Sequence, residues 1–305
     1  MDSAVRHRLL LAFAALLFST GGAALKAATL TGWQLASFRS LVAAVVLLAA
    51  LPQTRRGWTW RMAPVALAYA ATLVLFVLAN RLTTSANAIY LQSTAPIFVL
   101  LLGPWLLKES IGRDDILYVL SVGAGLGIFA MGHDRAVATA PNPPLGNLLA
   151  LGSGVSYAAM LVGLRWLGRH KQGDTALATV AAGNLAAFLI ALPMALPVTH
   201  ARPADAMVVL YLGAVQVGLA YWCLTHGIRH VPAFEATTML QVEPAMNPVW
   251  TWIVHGERPN AFAVAGGAVI IVATLVNTWR QSRRNRAAVP SVPLTERRGT
   301  PGMRE

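Results

Sequence analysis

Charge and cysteine are scarce in this sequence. Only 12% of its 305 residues are charged and 56% are hydrophobic, which is the composition of a membrane protein. Cys223 is the single cysteine, so an intrachain disulfide and a thiolate metal cluster are excluded. No glycine-rich phosphate loop ending in Lys and Ser or Thr occurs, which argues against ATP as an energy source.

The net charge of +12 does not indicate a nucleic-acid partner. The basic residues lie in short loops and a tail between apolar runs, without the basic face or aromatic platform that nucleic acid requires. Three histidines near span ends, His226, His230 and His255, lack the spacing of metal ligands. The sequence therefore predicts no nucleic-acid partner, no metal, no other cofactor and no catalytic residue.

Ten apolar runs are long enough to cross a bilayer as helices. They cover residues 9–28, 34–51, 62–79, 85–107, 116–131, 146–167, 176–196, 207–224, 233–254 and 261–278. We therefore expect an all-α membrane protein with ten transmembrane helices. Residues 6–24 could also pass for a signal peptide, but the repeat described next requires a retained first span.

Two matching stretches divide the chain into halves. Pro96 stands thirteen residues before Glu109, and Pro244 stands thirteen before Glu257, at an offset of 148 residues. Five spans per half is an odd number, so the halves would have opposite orientations and form an inverted repeat around a central cavity. The expected divisions are an N-terminus at 1–8, repeats at 9–131 and 146–278, a connecting loop at 132–145 and a disordered basic tail at 279–305.

The basic residues also predict the orientation, because Lys and Arg are retained on the cytoplasmic side. With both ends inside, the cytoplasmic side holds eighteen Lys and Arg residues and the other side holds six. Without the seven basic residues of the tail, the numbers are eleven and six, and the cytoplasmic side still holds more. The protein is therefore predicted to lie in the inner membrane with both termini in the cytoplasm.

Each half has a proline near the middle of a span, Pro96 in the first and Pro244 in the second, with Pro248 one turn further on. Proline removes a helix hydrogen bond, which here would kink the helices and free the carbonyl groups of Gln92 and Leu240. Backbone groups at that depth need partners inside the protein or in a wet cavity. Interrupted spans at matching positions indicate the binding site of a transporter.

Two charged residues are predicted to lie within the membrane. Glu243 is the only acidic residue far from a span end, and Arg39 lies about one and a half turns inside its span. Ionisable groups at such depth face a cavity, pair with each other or relay protons. Glu243 is either a site for substrate or proton, or a packing residue paired with Arg39. Arg39 either snorkels outward or pairs inward with Glu243 or an anionic substrate.

Other polar side chains within the spans are candidates for the cavity lining. Glu243, Asn247 and Trp250 share one face of a helix, and a kink could turn Gln241 inward. Ser93 and Thr94 are expected only to satisfy carbonyl groups that the proline frees. The candidate substrate-binding residues are Glu243, Gln241, Asn247, Trp250, Tyr90, Gln92, Arg39, Tyr157, Asn184 and Tyr221. Four polar residues of the second half, Tyr157, Asn184, Gln216 and Tyr221, could equally be contacts between helices.

Residues near the span ends have predicted roles in closing helices. Glu109 and Glu257 would hydrogen-bond helix ends or pair with nearby Arg, or form part of a gate. Lys26 would anchor its span at the outer surface by snorkelling. Small residues that would let helices approach closely are Gly123 with Gly127, Ser121 with Gly125 and Gly152 with Ser156.

Residues 9–278 resemble the ten-helix EamA-type carriers of the drug/metabolite transporter superfamily. The resemblance is carried by LKAATLTGWQLASFRSLVAA around Arg39, by APIFVLLLGPWLLKE and by EPAMNPVWTWIVHGE. It implies two EamA-like repeats around a central cavity and transport of amino acids, other metabolites or drugs, often as efflux. The expected function is thus a secondary transporter of a small metabolite that works by alternating access. Its expected partners are the solute, the bilayer and, through Glu243, a coupling proton.

Two other functions stay open at this point. Asp114 and Asp115 could hold Mg²⁺ near the membrane surface in an intramembrane enzyme that acts on lipid. The second alternative is a pore, which would show flux far above carrier rates and no counterflow.

Overall fold

The computed structural model describes residues 3–108, 112–132, 136–169, 176–228, 230–231, 236 and 239–287, and most of them lie in helices. The helices of the first half are α1 (Ser3–Ser19), α2 (Gly21–Ala27), α3 (Gly32–Ala50), α4 (Met62–Leu82), α5 (Ser85–Gln92), α6 (Ala95–Leu107) and α7 (Arg113–Ala130). Those of the second half are α8 (Pro143–Arg169), α9 (Ala176–Ala195), α10 (Pro203–Leu210), α11 (Ala220–Ile228), α12 (Val242–His255) and α13 (Ala261–Ala287). A π-helical segment, Tyr211–Leu219, joins α10 to α11.

Eight helical segments are long and apolar enough to cross a membrane, as far as the described ranges go. They are Val5–Ala27, Gly32–Ala50, Met62–Leu82, Ser85–Leu106, Pro143–Leu167, Ala176–Ala195, Pro203–Leu224 and Ala261–Arg280. Of the two remaining predicted spans, 116–131 corresponds to α7, whose first turn carries two aspartates. The span 233–254 overlaps the 14-residue α12 from Val242 onward, and residues 232–235 and 237–238 lie outside the described residues. The expectation of an all-α fold with many helices of membrane length is confirmed.

Local sequence signals set several helix boundaries. At the start of α3, the Thr31 hydroxyl accepts the N–H of Gln34 at 3.2 Å, and the Gln34 side chain accepts the N–H of Thr31 at 3.0 Å. Thr84 caps α5 in a similar way, by accepting the N–H of Asn87 at 3.2 Å. Gly256 ends α12 with a φ of +65°, a conformation that glycine adopts without strain from a Cβ atom.

Helices of the two halves pack against each other throughout the bundle. From the first half, α4 packs against α8 and α9, α3 packs against α9, and α1 packs against α11. One buried cluster joins Leu47 and Val65 of the first half with Met160 and Leu177 of the second. The apolar core therefore lies between the halves, as well as within each of them.

The prolines break the helices instead of kinking them. The fourth predicted span is divided into α5 and α6 by a turn at Ser93 and Thr94, and Pro96 lies in the first turn of α6. Similarly, a turn at Gln241 precedes α12, and Pro244 lies in its first turn. A proline is tolerated at this position because the first N–H groups of a helix have no partner within the helix. Pro248, by contrast, lies in the interior of α12, as Pro104 does in α6 and Pro193 in α9.

Two predictions about segment ends and small residues are corrected. The last helix continues to Ala287, so residues 279–287 of the predicted disordered tail are helical, because this stretch has no proline or glycine; 288–305 lie outside the described residues. Gly123 and Gly127 face open space instead of a neighbouring helix. Gly125 meets Gly266 of α13 instead, where a Cβ atom on Gly266 would lie 2.5 Å from the carbonyl oxygen of Gly125.

Candidate functional site

A cavity of about 380 Å³ lies between the two halves; we call it the central cavity. Its lining from the first half is Phe18, Arg39, Tyr69, Thr72, Leu73, Phe76, Ile89, Gln92, Ser93, Ala95 and Pro96. Its lining from the second half is Tyr157, Met160, Leu161, Gln216, Val217, Tyr221, Leu224, Leu240, Gln241, Glu243, Pro244 and Thr274. Both halves thus contribute aromatic, apolar and polar groups to one space.

Both helix breaks face the central cavity. The lining includes Ser93, Ala95 and Pro96 at the start of α6, and Gln241 and Pro244 at the start of α12. The first N–H groups of a helix lack intrahelical partners, and the helix dipole places partial positive charge there. Two helix N-termini at one cavity favour groups that are negatively charged or accept hydrogen bonds.

Arg39 reaches the same cavity from α3. The residue is only 3% exposed, and its Nε atom has no hydrogen-bond partner in the described part of the chain. No carboxylate of the described residues lies within 4 Å of the Arg39 guanidinium, which is the limit for a salt bridge. The predicted pair with Glu243 therefore does not form. Outward snorkelling is also contradicted by the burial of the side chain. A buried guanidinium without a partner is costly, and an anionic group in the cavity would offset that cost.

Glu243 lies in the first turn of α12, at the second break. The residue is half-buried and lines the central cavity together with Tyr157 and Tyr221. A carboxylate is stabilised near a helix N-terminus, which is one reason why a charged residue can occupy this depth. Arg39 and Glu243 therefore present opposite charges to one cavity without pairing with each other.

A tyrosine pair closes part of the wall. The Tyr69 hydroxyl donates to the Tyr221 hydroxyl at 3.3 Å, and the Asn184 amide donates to the Tyr69 hydroxyl at 3.3 Å. Asn184 itself is 1% exposed and stands behind the wall. Tyr69 was not predicted as a site residue, although its position inside the predicted span 62–79 is the same signal that selected Tyr157.

The polar residues around the first break mostly satisfy local partners. Gln92 donates to the Ser153 hydroxyl at 2.7 Å, which ties α5 to α8 at the cavity wall. The Ser93 hydroxyl donates to the carbonyl of Ile89 and the Thr94 hydroxyl to that of Leu91, each at 2.7 Å. The two hydroxyls therefore bond carbonyl groups in the last turn of α5, and not the carbonyl of Gln92 that Pro96 was expected to free.

Several candidates do not line the central cavity. Trp250 donates from Nε1 to the Ser19 hydroxyl at 2.9 Å, and Asn247 is 1% exposed beside Gly22. Glu243, Asn247 and Trp250 were predicted to share one helix face. Because α12 begins at Val242, only Glu243 lies at the break, and the next two turns pack against α1 and α2. The further candidates outside the lining are Tyr90, which packs beside Gly267, and the helix-interior Pro248.

A second polar cluster joins the halves at the predicted outer end of the bundle. The Lys26 Nζ atom lies 2.9 Å from Glu257 Oε2, and each side chain is 3% exposed. Glu257 Oε1 accepts the N–H of Ser85 at 2.6 Å, and Lys26 donates to the carbonyl of Thr83 at 2.9 Å. Lys26 is therefore a buried partner of Glu257 and not a snorkelling anchor, since the carboxylate lies within its reach. Glu109, the counterpart of Glu257, lies outside the described residues.

The aspartate pair does not form a joint cation site. Asp115 accepts the N–H of Gly112 at 2.8 Å at the start of α7, and Asp114 lies 3.7 Å from Arg280. Each carboxylate therefore has its own partner.

Helices of membrane length around a polar cavity that is lined by two helix N-termini define the architecture of an integral membrane transport protein. The model of the EamA-like transporter family matches residues 7–131 and again residues 144–279, so this chain belongs to that family. The chain is 23% identical over 227 residues to the uncharacterized transporter YdfC of Bacillus subtilis, covering 72% of this chain and 71% of that protein. A solved crystal structure shares the fold with a TM-score of 0.62 at 17% identity, covering 92% of this chain and 98% of the other.

Proposed function

We propose that this protein is a secondary carrier that moves a small zwitterionic metabolite, such as an amino acid, out of the cell. The observation that carries the proposal is the central cavity, where Arg39 and Glu243 from different halves face the same space and neither forms a salt bridge with another described residue. An amino acid carries a carboxylate for Arg39 and an ammonium group for Glu243. The Tyr and Phe side chains of the wall would contact an apolar side chain of the solute.

The two family repeats support an inverted arrangement of five spans each. Eight of the ten predicted spans correspond to described helices of membrane length, and five spans in each of the two family repeats would give the repeats opposite orientations. The excess of basic residues on one side supports a location in the inner membrane with both termini in the cytoplasm. In this orientation, Glu257 and Lys26 lie at the outer end.

In the proposed cycle, the halves rock about the central cavity. The buried pair of Lys26 and Glu257 holds the outer end closed in this conformation, because it links α2 to the segment after α12. Outward opening would separate these two charges, and water would then solvate both. A buried ion pair contributes little net stability when it can be replaced by hydration, which suits a contact that must break in every cycle.

A panel of solutes, measured by thermal stabilisation of the purified protein, tests this proposal. A ligand that binds only the folded state raises the melting temperature with its concentration. We expect stabilisation by amino acids, and less by the matching amides and by amines that lack the carboxylate. Equal effects of all three compounds would contradict a zwitterion site, and stabilisation by none of the panel would contradict the proposed substrate class.

A further inference from the structure

A groove on the outer surface of the bundle lies between α7 and α13, apart from the central cavity. Its volume is about 490 Å³, and its walls include Leu117 of α7 and Val272 and Val276 of α13. Leu117 is 50% exposed and Val272 is 57% exposed. In a membrane protein, such a surface faces lipid chains, so the groove is open to the bilayer from the side.

At one end of the groove, Arg280 and Asp114 line the wall, and a second arginine, Arg283, lies one turn further on. Arg280 lies 3.7 Å from Asp114, and the two side chains are 42% and 27% exposed, which makes this a loose and weak ion pair. One turn further along α13, the guanidinium of Arg283 lies 4.1 Å above the ring of Trp279. Tryptophan and arginine at one level of a helix are typical of the membrane–water interface. The groove thus runs from an apolar depth to a basic edge at the interface.

An unsatisfied amide lies between these two regions. Asn277 lines the groove one turn below Arg280, and its buried Oδ1 atom has no hydrogen-bond partner in the described part of the chain. The other polar groups here are satisfied, since Ser121 donates to the carbonyl of Leu117 at 2.8 Å and the Tyr118 hydroxyl pairs with that of Thr274 at 3.1 Å. The Nδ2 group of Asn277 can donate to an ester carbonyl of a phospholipid at this depth, whereas Oδ1 needs a donor such as a headgroup hydroxyl.

We propose that this groove binds one anionic phospholipid. An acyl chain would lie along Leu117, Val272 and Val276, the amide of Asn277 would contact the ester region, and the phosphate would bind Arg280. A guanidinium binds phosphate oxygens through two hydrogen bonds, and basic pockets between helices bind anionic headgroups. The charge of the edge favours an anionic lipid over a zwitterionic one.

The groove shares a wall with the central cavity. Tyr118 lines the groove, and its hydrogen-bond partner Thr274 lines the cavity. A lipid in the groove would support this wall, so lipid binding should stabilise the folded protein against heat.

Lipid titration of the purified protein tests the site. Dioleoyl-phosphatidylglycerol is compared with dioleoyl-phosphatidylcholine, which has the same chains, by melting temperature and by counting retained lipids in native mass spectrometry. We expect the anionic lipid to raise the melting temperature more and to be retained at one copy. Arg280→Gln should weaken its retention about fivefold, the equivalent of about 1 kcal/mol for one Arg near the surface, and Arg280→Lys should keep most of it.

Two further variants separate the groove from general charge effects. Val272→Trp fills the groove without changing the charge and should also reduce retention, whereas Arg61→Gln removes a charge far from the groove along the chain and should not. Equal stabilisation by both lipids, or equal losses for Arg280→Gln and Arg61→Gln, would overturn the proposal. A change of oligomer mass in Val272→Trp with unchanged lipid retention would assign this face to a second copy of the chain and overturn it as well.

Discussion

Two residues of opposite charge decide the chemistry of the central cavity. Arg39 cannot lose its charge under physiological conditions, so the cavity carries a permanent cation beside the N-termini of α6 and α12. Glu243 stands at the start of α12 and provides the anionic group of the lining. Because neither residue pairs with the other, each is available to a group of the solute.

Removal of the guanidinium should weaken binding of solutes that carry a carboxylate. We expect Arg39→Gln to lower their affinity about tenfold to a hundredfold, because a hydrogen bond to a charged group contributes about 1.5 to 3 kcal/mol. Thermal titration with an amino acid and with its amide measures the effect. The amide should bind wild type and variant equally, and Arg61→Gln should bind both as wild type does. Unchanged affinity of Arg39→Gln for the amino acid would show that the guanidinium is not a ligand.

Neutralisation of Glu243 tests its predicted role in proton coupling. In proteoliposomes with an imposed pH gradient, Glu243→Gln should lose the dependence of transport on the gradient, because the amide cannot take up and release a proton. Initial rates with and without the gradient measure the effect. A variant that transports at the full rate and keeps its gradient dependence would remove Glu243 from the mechanism.

At the scale of helices, the breaks at the cavity could be predicted only in part. The positions of Pro96 and Pro244 indicated two interrupted spans at matching places, and both interruptions lie at the cavity. The form of the interruption was not predictable, because it depends on where a new helix begins. That starting point determines which residues reach the cavity: Glu243 does, whereas Asn247 and Trp250 pack against α1 and α2.

Contacts between distant segments also could not be predicted from the sequence. The spacing of Gly123 and Gly127 is the same as that of other small pairs, yet only tertiary packing decided that Gly125 meets α13. Similarly, Lys26 and Glu257 are 231 positions apart, and no local pattern links them. Hydropathy and proline spacing indicate the spans, whereas side-chain partners depend on the packed bundle.

Glycine substitutions test the contact between α7 and α13. Gly266→Ala should destabilise the protein by about 1 to 3 kcal/mol, because its Cβ atom would overlap the carbonyl oxygen of Gly125. Gly127→Ala is the matched control, since open space surrounds this position and alanine favours a helix by up to about 1 kcal/mol. Thermal unfolding in detergent measures both. Equal stability of the two variants would contradict the described crossing.

At the scale of the whole molecule, an ion pair closes the end of the bundle that the proposed orientation places outside, and a cavity lies in the middle. Lys26 and Glu257 connect the two halves beyond the cavity, and the N–H of Ser85 at the start of α5 joins them. The closed end and the central cavity are the two features that alternating access requires of one conformation.

Loss of the outer ion pair should expose this end of the molecule. In a Cys223→Ser background, Ser85→Cys places a thiol at a position that is fully buried here. A membrane-impermeant maleimide added from outside should label this thiol faster when Lys26→Met is present, because the carboxylate of Glu257 then has no cation and attracts water. The double variant Lys26→Met with Glu257→Gln also lacks the ion pair and should label faster than the parent, but more slowly than Lys26→Met alone, because no unpaired carboxylate attracts water. Equal labelling with and without the ion pair would contradict a gate at Lys26 and Glu257.

Counterflow in proteoliposomes is the most direct test of a carrier with one central site. Vesicles loaded with an unlabelled amino acid should transiently accumulate the labelled form from outside, and the accumulation should saturate and fall in Arg39→Gln. Labelled solute that only equilibrates, without saturation and without an effect of internal solute, would contradict the carrier and favour a pore.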